Sequence, residues 1–259
     1  MRVVITGASS GLGAALARHY AGQGAVLGLV ARRESELHQL AEELTNQYAA
    51  TCHIYPVDVT DAIAMSRAGA DFIDQAGTPD LVIANAGISV GTLTQEASDL
   101  PMFERVMAVN VLGMVNTFHP FIAAMTSAGK GTLAGIASVA GVRGLPGSGA
   151  YSASKAAAMN YLESLRGELR DTGVHVVTIA PGYVATPMTA VNRYAMPFMI
   201  SAPEAARRIA RAIASGRSFV VVPWQMAIVA RLMRWLPNPV FDALAAKAGR
   251  KPRSLPGKY

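Results

Sequence analysis

Short apolar runs alternate with longer amphipathic stretches along most of this 259-residue chain. An apolar run of about four to eight residues is typical of a buried strand, whereas apolar residues at helical spacing indicate a helix packed on one face. Strands are predicted at 2–6, 25–30, 53–59, 80–84, 132–137, 174–180 and 219–222. Because helical stretches separate the strands almost throughout, we predict one α/β domain with a doubly wound, seven-stranded parallel sheet and helices on both faces.

The amphipathic stretches are predicted to form helices at 35–50, 61–75, 100–128 and 151–170. In the first of these, Leu37, Leu40 and Leu44 recur on one helix face. The third helix is expected to bend near Pro120, which has no backbone N–H to donate. Asn110 lies in an apolar run of that helix, and because a buried amide needs hydrogen-bond partners, a structural role is its first interpretation.

Composition narrows the class of protein. Apolar residues make up 51% of the chain, which is ample for one large core, and the net charge of +6 is spread over several segments. No basic run alternates with aromatic residues, as single-stranded nucleic-acid binding requires, so no nucleic-acid partner is expected. Cys52 is the single cysteine, and the chain begins with a predicted strand rather than a signal peptide. Both observations favour a cytoplasmic protein.

A glycine-rich turn joins the first predicted strand to the first helical stretch. It reads Thr6-Gly-Ala-Ser-Ser-Gly-Leu-Gly13, with glycine where a tight turn must let the backbone approach a pyrophosphate. The N–H groups at the start of the following helix favour an anion at the same place. This pattern predicts a dinucleotide-binding turn and hence a Rossmann-type fold. The predicted cofactor contacts in the turn are Gly7, Ser9, Ser10, Gly11, Leu12 and Gly13.

Two arginines follow the second predicted strand, where proteins that bind NAD usually carry an acidic residue. Arg32 and Arg33 present guanidinium groups, which suit the 2′-phosphate of NADP rather than a free ribose hydroxyl. The sequence therefore predicts NADP(H) as the cofactor. Asp58, at the end of the third strand, is predicted to meet the adenine amino group, and Val59 is predicted to contact the cofactor beside it.

Tyr151 and Lys155 are four residues apart, which places them one turn apart on one face of a predicted helix. A nearby ammonium favours ionisation of a phenol. Ser138 ends the fifth strand, and its hydroxyl can share the polar end of a substrate with the phenol. The three residues indicate a site that exchanges a proton with a carbonyl or alcohol oxygen, the alternative being a chance pair on a solvated helix. No histidine lies near a plausible ligand set, so no metal site is expected.

Two loops are predicted to border this site. Residues 183–200 have no regular period and contain several methionines and aromatic residues, which favours a lid with an adaptable apolar lining over an ordinary surface loop. The glycine-rich loop 139–149 follows Ser138 directly. The predicted substrate contacts are Ser138, Val139, Ala140, Leu145, Tyr151, Tyr183 and Met188.

In their order and places, these motifs resemble those of the short-chain dehydrogenase/reductase family. The resemblance covers about residues 1–222, which would form the dinucleotide-binding oxidoreductase domain together with its lid. It rests on the glycine turn 6–13, Asp58, Asn85-Ala86-Gly87, Asn110, Ser138, Tyr151-x-x-x-Lys155 and Pro181-Gly182 with Thr186. One departure is Ala84, where many relatives have asparagine, and little effect is expected because the next three residues remain.

The resemblance implies a role for each matched residue. Tyr151 acts as the general acid in carbonyl reduction and as the base in alcohol oxidation, while Lys155 lowers its pKa and holds the nicotinamide ribose. Ser138 binds the substrate oxygen, and Asn110 positions a water that links Lys155 to solvent. The other implied cofactor contacts are Asn85, Ala86, Gly87, Pro181, Gly182, Val184 and Thr186, the last two at the nicotinamide carboxamide.

Residues 223–259 are predicted to form a C-terminal helix and tail of the same domain. The segment 224–236 reads as a basic amphipathic helix, with Arg231 and Arg234 on one face, and its apolar run is too short to span a bilayer. Such a helix either lies on an anionic membrane surface or packs on its own subunit or on a partner. In the first case, the contact is expected at the inner face of the membrane. A homodimer or homotetramer is expected.

Together these patterns predict an NADP(H)-dependent oxidoreductase acting on the carbonyl or secondary alcohol of an apolar small molecule. Among enzymes, a 3-ketoacyl or 3-keto-sphingoid reductase competes with a generalist carbonyl reductase, and both remain open. The alternative of another class is a non-catalytic NADP(H)-sensing regulator. The complete set of Asn110, Ser138, Tyr151 and Lys155 argues against that alternative.

Overall fold

Seven parallel strands form the central sheet in the computed structural model, which describes residues 1–247 and 249–253. The strands are β1 (Arg2–Thr6), β2 (Val26–Val30), β3 (Cys52–Tyr55), β4 (Leu81–Ala84), β5 (Gly131–Ile136), β6 (Val174–Pro181), β7 (Val184–Ala185), β8 (Ile200–Ser201) and β9 (Phe219–Val222), of which β7 and β8 are two short strands outside the central sheet. The sheet order is β3-β2-β1-β4-β5-β6-β9, and β7 pairs only with β8. The predicted Rossmann-type, doubly wound, seven-stranded parallel sheet in one domain is confirmed.

Helices cover both faces of this sheet. They are α1 (Gly11–Ala21), α2 (Glu34–Tyr48), α3 (Ala62–Ala76), α4 (Leu100–Met107), α5 (Gly113–Ser127), α6 (Gly149–Glu168), α7 (Pro187–Ala190), α8 (Ala202–Ala214), α9 (Trp224–Trp235) and α10 (Asn238–Ala246). Side chains of β1 alternate between the two faces, so Ile5 packs in the core under α1, α2 and α8, whereas Val4 packs under α3, α5 and α6. Each fully buried leucine or phenylalanine in these cores contributes about 1.5–3 kcal/mol.

The helical stretch from residue 100 to 127 differs from its prediction. The backbone irregularity is a π-helical turn at Ala108–Leu112, centred on Asn110, and Pro120 lies within α5. By length and composition alone, Ala97–Ser127 could cross a membrane. However, Phe118, Phe121 and Met125 are buried in the core beside the sheet, as in the core helix of a folded domain.

One arginine fastens α9 and α10 to the loop that follows β5. The Arg143 guanidinium donates to the carbonyl oxygens of Met233 and Leu236 at 2.7 and 2.6 Å and to Asn238 Oδ1 at 2.6 Å. It also stacks over the Phe241 ring, 4.0 Å from the ring centroid. The predicted helix at 224–236 is therefore packed on its own subunit along one side, while residues 254–259 of the predicted tail lie outside the described residues.

Candidate active site

The glycine turn lies between β1 and α1, at the carboxyl edge of the sheet where β1 and β4 meet. Gly7 has a φ of +67°, and a Cβ on Gly13 would overlap the carbonyl oxygen of Gly7. The Asn85 side chain donates to the carbonyl oxygens of Thr6 and Gly7 at 3.0 and 3.3 Å, which ties the end of β4 to the turn. The strand order reverses between β1 and β4, and a crevice for a ligand forms outside the carboxyl ends of the strands at such a switch point.

This turn fits the pyrophosphate of a dinucleotide. The helix α1 begins at Gly11, and its N-cap residue Ser10 makes no side-chain capping hydrogen bond, so the N–H groups of the first turn face the crevice without a side-chain acceptor. A Cβ on Gly11 would lie 3.3 Å from the Thr186 side chain, so the lid segment lies directly against the turn. A Cβ on Gly7 or Gly13 would clash with neighbouring atoms of the protein, so the tight turn depends on glycine at both positions.

Both predicted cofactor arginines lie at the rim of the turn. Arg33 donates to the hydroxyl oxygens of Ser9 and Ser10, each at 2.8 Å, and so joins the end of β2 to the glycine turn. Arg32 is 3.8 Å from an Asp58 carboxylate oxygen. The Arg33 guanidinium, which also pairs with Glu36 at 3.2 Å, and two hydroxyls thus lie together beside the turn, and these are donors that a phosphate can accept from.

Asp58 has a partner that the sequence did not reveal. Its carboxylate accepts from Arg105 at 2.6 Å and from the Thr60 hydroxyl at 2.8 Å. Although burial raises the pKa of Asp58, these bonds and the backbone N–H of Thr60 outweigh burial and hold that pKa below its ordinary value. Val59 beside it is buried. Contact of either residue with adenine stays a prediction.

Ser138, Tyr151 and Lys155 converge at the carboxyl end of β5 and the first turns of α6. The Ser138 hydroxyl accepts from the Ala140 N–H at 3.2 Å and donates to the Pro181 carbonyl oxygen at 3.4 Å, and it is near enough to the Tyr151 phenol to influence that phenol's pKa. Lys155 is buried, its Nζ donates to the Ile136 carbonyl oxygen at 2.7 Å, and burial lowers its pKa to about 8. The sequence-predicted trio is thus brought together on two neighbouring elements.

The Tyr151 pKa is raised in this structure, whereas the sequence led us to expect that Lys155 would lower it. Burial raises the pKa of Tyr151, and the opposing influence is the nearby Ser138 hydroxyl. The Lys155 Nζ lies 5.9 Å from the Tyr151 ring centroid, and it donates its hydrogen bond to the Ile136 carbonyl oxygen rather than to the phenol. The phenol is therefore held in its protonated form at neutral pH, which is the form that donates a proton.

Asn110 clamps three segments of the site together. Its Oδ1 accepts from the Ile88 N–H at 2.8 Å, and its Nδ2 donates to the Ile88 carbonyl oxygen at 3.0 Å and to Ser154 Oγ at 2.9 Å. Ser154 in turn donates to the Tyr151 carbonyl oxygen. A Cβ on Gly87 would lie 3.1 Å from Asn110 Oδ1 and 3.5 Å from Lys155 Nζ, so both groups face the same small space. A water relay there stays a prediction.

The predicted lid contains short regular elements rather than an open loop. β7 follows Pro181-Gly182, and α7 begins after Thr186. The Thr189 hydroxyl accepts from the Thr186 N–H at 3.1 Å and donates to the Val184 carbonyl oxygen at 2.7 Å, which fixes the turn between them. The predicted nicotinamide contacts Val184 and Thr186 are therefore held rigidly against the glycine turn.

The predicted substrate contacts fall into two groups. Val139 is buried against Met226 and Ala230 of α9, and Leu145 lines a groove of about 740 Å³ toward α10 that includes neither Ser138 nor Tyr151. The other residues lie on the catalytic side. Tyr183 packs edge-on against Tyr194, whose pKa is raised to about 12, mainly by burial and then by the neighbouring Tyr183 and Tyr151 phenols.

A segment that the sequence did not assign crosses this side of the site. Residues 249–253, here called the C-terminal strap, run between the lid and the loops that follow β4 and precede α6. Lys251 Nζ donates to Ser89 Oγ at 2.9 Å and to the Met188 carbonyl oxygen at 3.3 Å. The Pro252 carbonyl oxygen accepts from the Gly91 N–H at 2.9 Å. Only the basic character of the tail could have drawn attention to it.

Known proteins are similar to this chain in sequence and in fold. The family model for short chain dehydrogenases matches residues 1–196. An oxidoreductase of Myxococcus xanthus is 41% identical over 249 residues, covering 94% of this chain and 96% of the relative. A solved short-chain dehydrogenase/reductase of Burkholderia phymatum in complex with NAD covers 98% of both chains, with a TM-score of 0.82 at 24% identity.

A second solved structure is similar over the catalytic part of the chain. It is the L-sorbose reductase of Gluconobacter frateurii complexed with NADPH and L-sorbose, covering 85% of this chain and 94% of that one, with a TM-score of 0.77 at 26% identity. The family match, the sequence relative and the shared fold agree. The chain belongs to the short-chain dehydrogenase/reductase family and is an oxidoreductase.

Proposed function

We propose that this protein is an NADP(H)-dependent oxidoreductase that interconverts a carbonyl and a secondary alcohol on a small, largely apolar molecule. The observation that carries the proposal is the convergence of Ser138, Tyr151 and Lys155 at the carboxyl end of β5 and the start of α6, with the Lys155 Nζ 5.9 Å from the Tyr151 ring centroid. When bound, the nicotinamide supplies or accepts the hydride. The protein's own contribution is to position the substrate oxygen and to supply the proton.

In reduction, Ser138 holds the carbonyl oxygen and Tyr151 gives it a proton. Burial raises the pKa of Tyr151, which keeps the proton on the phenol until negative charge develops on the substrate oxygen. In oxidation the same phenol must first lose its proton, and the Lys155 ammonium favours that step by its charge. Asn110 holds the backbone of Ile88 and, through Ser154, the first turn of α6, so it keeps these groups in register.

The choice of NADP(H) is supported by Arg33, which is bonded to two hydroxyls of the glycine turn, and by Arg32 beside it. A 2′-phosphate placed there would meet two guanidinium groups, whereas no carboxylate extends from the end of β2 to accept a ribose hydroxyl. The partners we propose are a small carbonyl or alcohol substrate and further copies of this chain in a homodimer or homotetramer.

A panel of ketones and secondary alcohols of graded chain length, followed by NADPH absorbance, tests the proposed function. We expect NADPH consumption with at least one ketone series and a weaker rate with NADH. A protein that binds NADPH but turns over no member of the panel would instead act as a sensor of the cofactor. Fractionation of the full chain without detergent tests the cytoplasmic location, with recovery in the membrane fraction as the contrary result.

A further inference from the structure

The C-terminal strap is fastened to two segments that flank the catalytic groups. On one side Arg253 pairs with Asp99 at 2.8 Å and with Glu96 at 3.1 Å, and the Gly91 N–H donates to Pro252. On the other side Gly249 packs against the ring of Tyr194 in the lid. These contacts hold the strap in place without any contribution from the Lys251 ammonium.

The Lys251 ammonium is buried among neutral groups. Lys251 is 8% exposed, and its two acceptors are a serine hydroxyl and a backbone carbonyl. An ammonium has three N–H groups, and burying its charge is costly unless an opposite charge is near. Within residues 1–247 and 249–253, no carboxylate oxygen lies within 4.0 Å of it. Burial lowers the pKa of Lys251 to about 8, so it still carries charge at neutral pH.

The Lys251 ammonium connects the two segments that flank the candidate active site, at Ser89 and at Met188. Ser89 is two residues beyond Gly87, whose Cβ position faces Lys155 Nζ. Met188 is two residues beyond Thr186, which lies against the glycine turn. Among the lysines that the structure describes, Lys155 and Lys251 are the buried ones, and Lys155 also meets a neutral carbonyl oxygen. Two buried cations with neutral partners therefore border one site.

We propose that Lys251 is a specificity-determining residue whose ammonium binds an anionic group, a carboxylate, sulfonate or phosphate, carried by the substrate at a distance from its carbonyl. This inference rests on the proposed function and refines its substrate class: a carbonyl compound with an apolar middle and an anionic end. The glycine turn and the two arginines already offer donors to the phosphates of the cofactor. The strap thus supplies to the substrate a positive charge in addition to that of Lys155.

The test compares 4-oxopentanoate, a ketone, with its methyl ester, a matched pair that differs in the anionic group. We expect the wild type to prefer the anion, and Lys251→Met to reduce the ratio of kcat/KM for anion over ester by about 10- to 100-fold, the loss of one charged hydrogen-bonded contact. Arg250→Met is the matched control. It removes one positive charge from the same strap, but the Arg250 side chain packs on Gly147 in an exposed position. The ratio of kcat/KM for anion over ester in Arg250→Met should therefore equal that of the wild type.

Binding measurements distinguish the remaining explanations. Calorimetry should show 4-hydroxypentanoate binding to the wild type and to Arg250→Met, and much weaker binding to Lys251→Met, with NADPH affinity equal in all three. A wild type indifferent to the anion, or a ratio unchanged in Lys251→Met, overturns the proposal. So does a variant whose NADPH affinity falls while its substrate ratio stays constant, because the ammonium would then serve the cofactor. If Lys251→Met does not fold, the same measurements are repeated with Lys251→Gln.

The proposed function can fail separately from this inference. If the wild type oxidises NADPH with neither compound nor with any other carbonyl, the proposed function is wrong. The calorimetric comparison of 4-hydroxypentanoate with 2-pentanol then still decides whether Lys251 receives an anion.

Discussion

At the scale of single residues, burial sets the protonation of the two central groups. Burial raises the pKa of Tyr151 and lowers that of Lys155 to about 8. The spacing of the pair was evident from the sequence, but their burial and the distance between them depend on how α6 packs on β5. The sequence alone therefore could not predict that the Tyr151 pKa is raised.

The lysine gives the reaction a predicted pH dependence. The Lys155 pKa is depressed from 10.5, so its ammonium is present below pH about 8 and is lost as the pH rises through that value. We expect kcat/KM for carbonyl reduction to be level below that point and to decline above it. Lys251→Met should show the same decline, because Lys155 causes it. A profile of kcat/KM against pH that stays level well above pH 8 would contradict this assignment.

The two arginines should contribute unequally to cofactor choice. Arg33 is bonded to Ser9 and Ser10 at 2.8 Å, whereas Arg32 points toward Asp58 at 3.8 Å. Arg33→Ala should narrow the NADPH over NADH preference in kcat/KM by about 10-fold or more, and Arg32→Ala by less, because a charged hydrogen bond is worth about 1.5–3 kcal/mol. Equal effects would contradict the unequal contribution of the two arginines, and a wild type that prefers NADH would show that the 2′-phosphate is not bound here.

At the scale of elements, most strands and helices were predictable and the irregular parts were not. The seven sheet strands follow from apolar runs such as β4 and β1, which are buried on both faces. The π turn around Asn110 leaves the apolar periodicity almost unchanged, so the pattern pointed to Pro120 instead. The strap was missed because its partners are distant in sequence: Lys251 and Ser89 are separated by 162 positions.

The π turn should be costly to disturb. Asn110→Leu keeps the size of the side chain but leaves the Ile88 N–H and carbonyl groups without their partners. We expect a loss of about 2–4 kcal/mol in the free energy of unfolding, measured by urea denaturation, since each buried unsatisfied group costs about 1–3 kcal/mol. Ser154→Ala removes one of the three bonds and should cost about 0.5–1.5 kcal/mol. Equal stability of Asn110→Leu and the wild type would contradict the clamp.

At the scale of the whole molecule, the C-terminal helices complete the catalytic side while leaving an apolar face uncovered. Met226 and Ala230 of α9 pack on Val139, the residue after Ser138, so these helices support the site. Trp224, Ile228, Leu232 and Trp235 recur along the outer face of α9 and are exposed in this single chain. The amphipathic pattern predicted the helix, and among the residues that the structure describes this outer face of α9 is exposed.

Arg143 is the residue that holds these helices. Arg143→Ala removes three hydrogen bonds to the α9–α10 junction and the contact over Phe241. We expect a loss of about 2–4 kcal/mol in stability and faster proteolytic cleavage near Pro237. Arg143→Lys should not restore either property, because an ammonium cannot bond to the three acceptors in the planar arrangement of a guanidinium. Unchanged proteolysis in Arg143→Ala would show that α9 and α10 are held by other contacts.

The most direct measurement of the proposed chemistry is the single-turnover rate of Tyr151→Phe beside its affinity for NADPH. The phenyl ring keeps the shape of the site and removes the proton donor. We expect NADPH oxidation to fall by about 100-fold or more, the usual contribution of a positioned general acid, while the NADPH Kd from fluorescence titration stays that of the wild type. A Tyr151→Phe variant that reduces its substrate at the wild-type rate would contradict the proton-donor role of Tyr151 and the mechanism built on it.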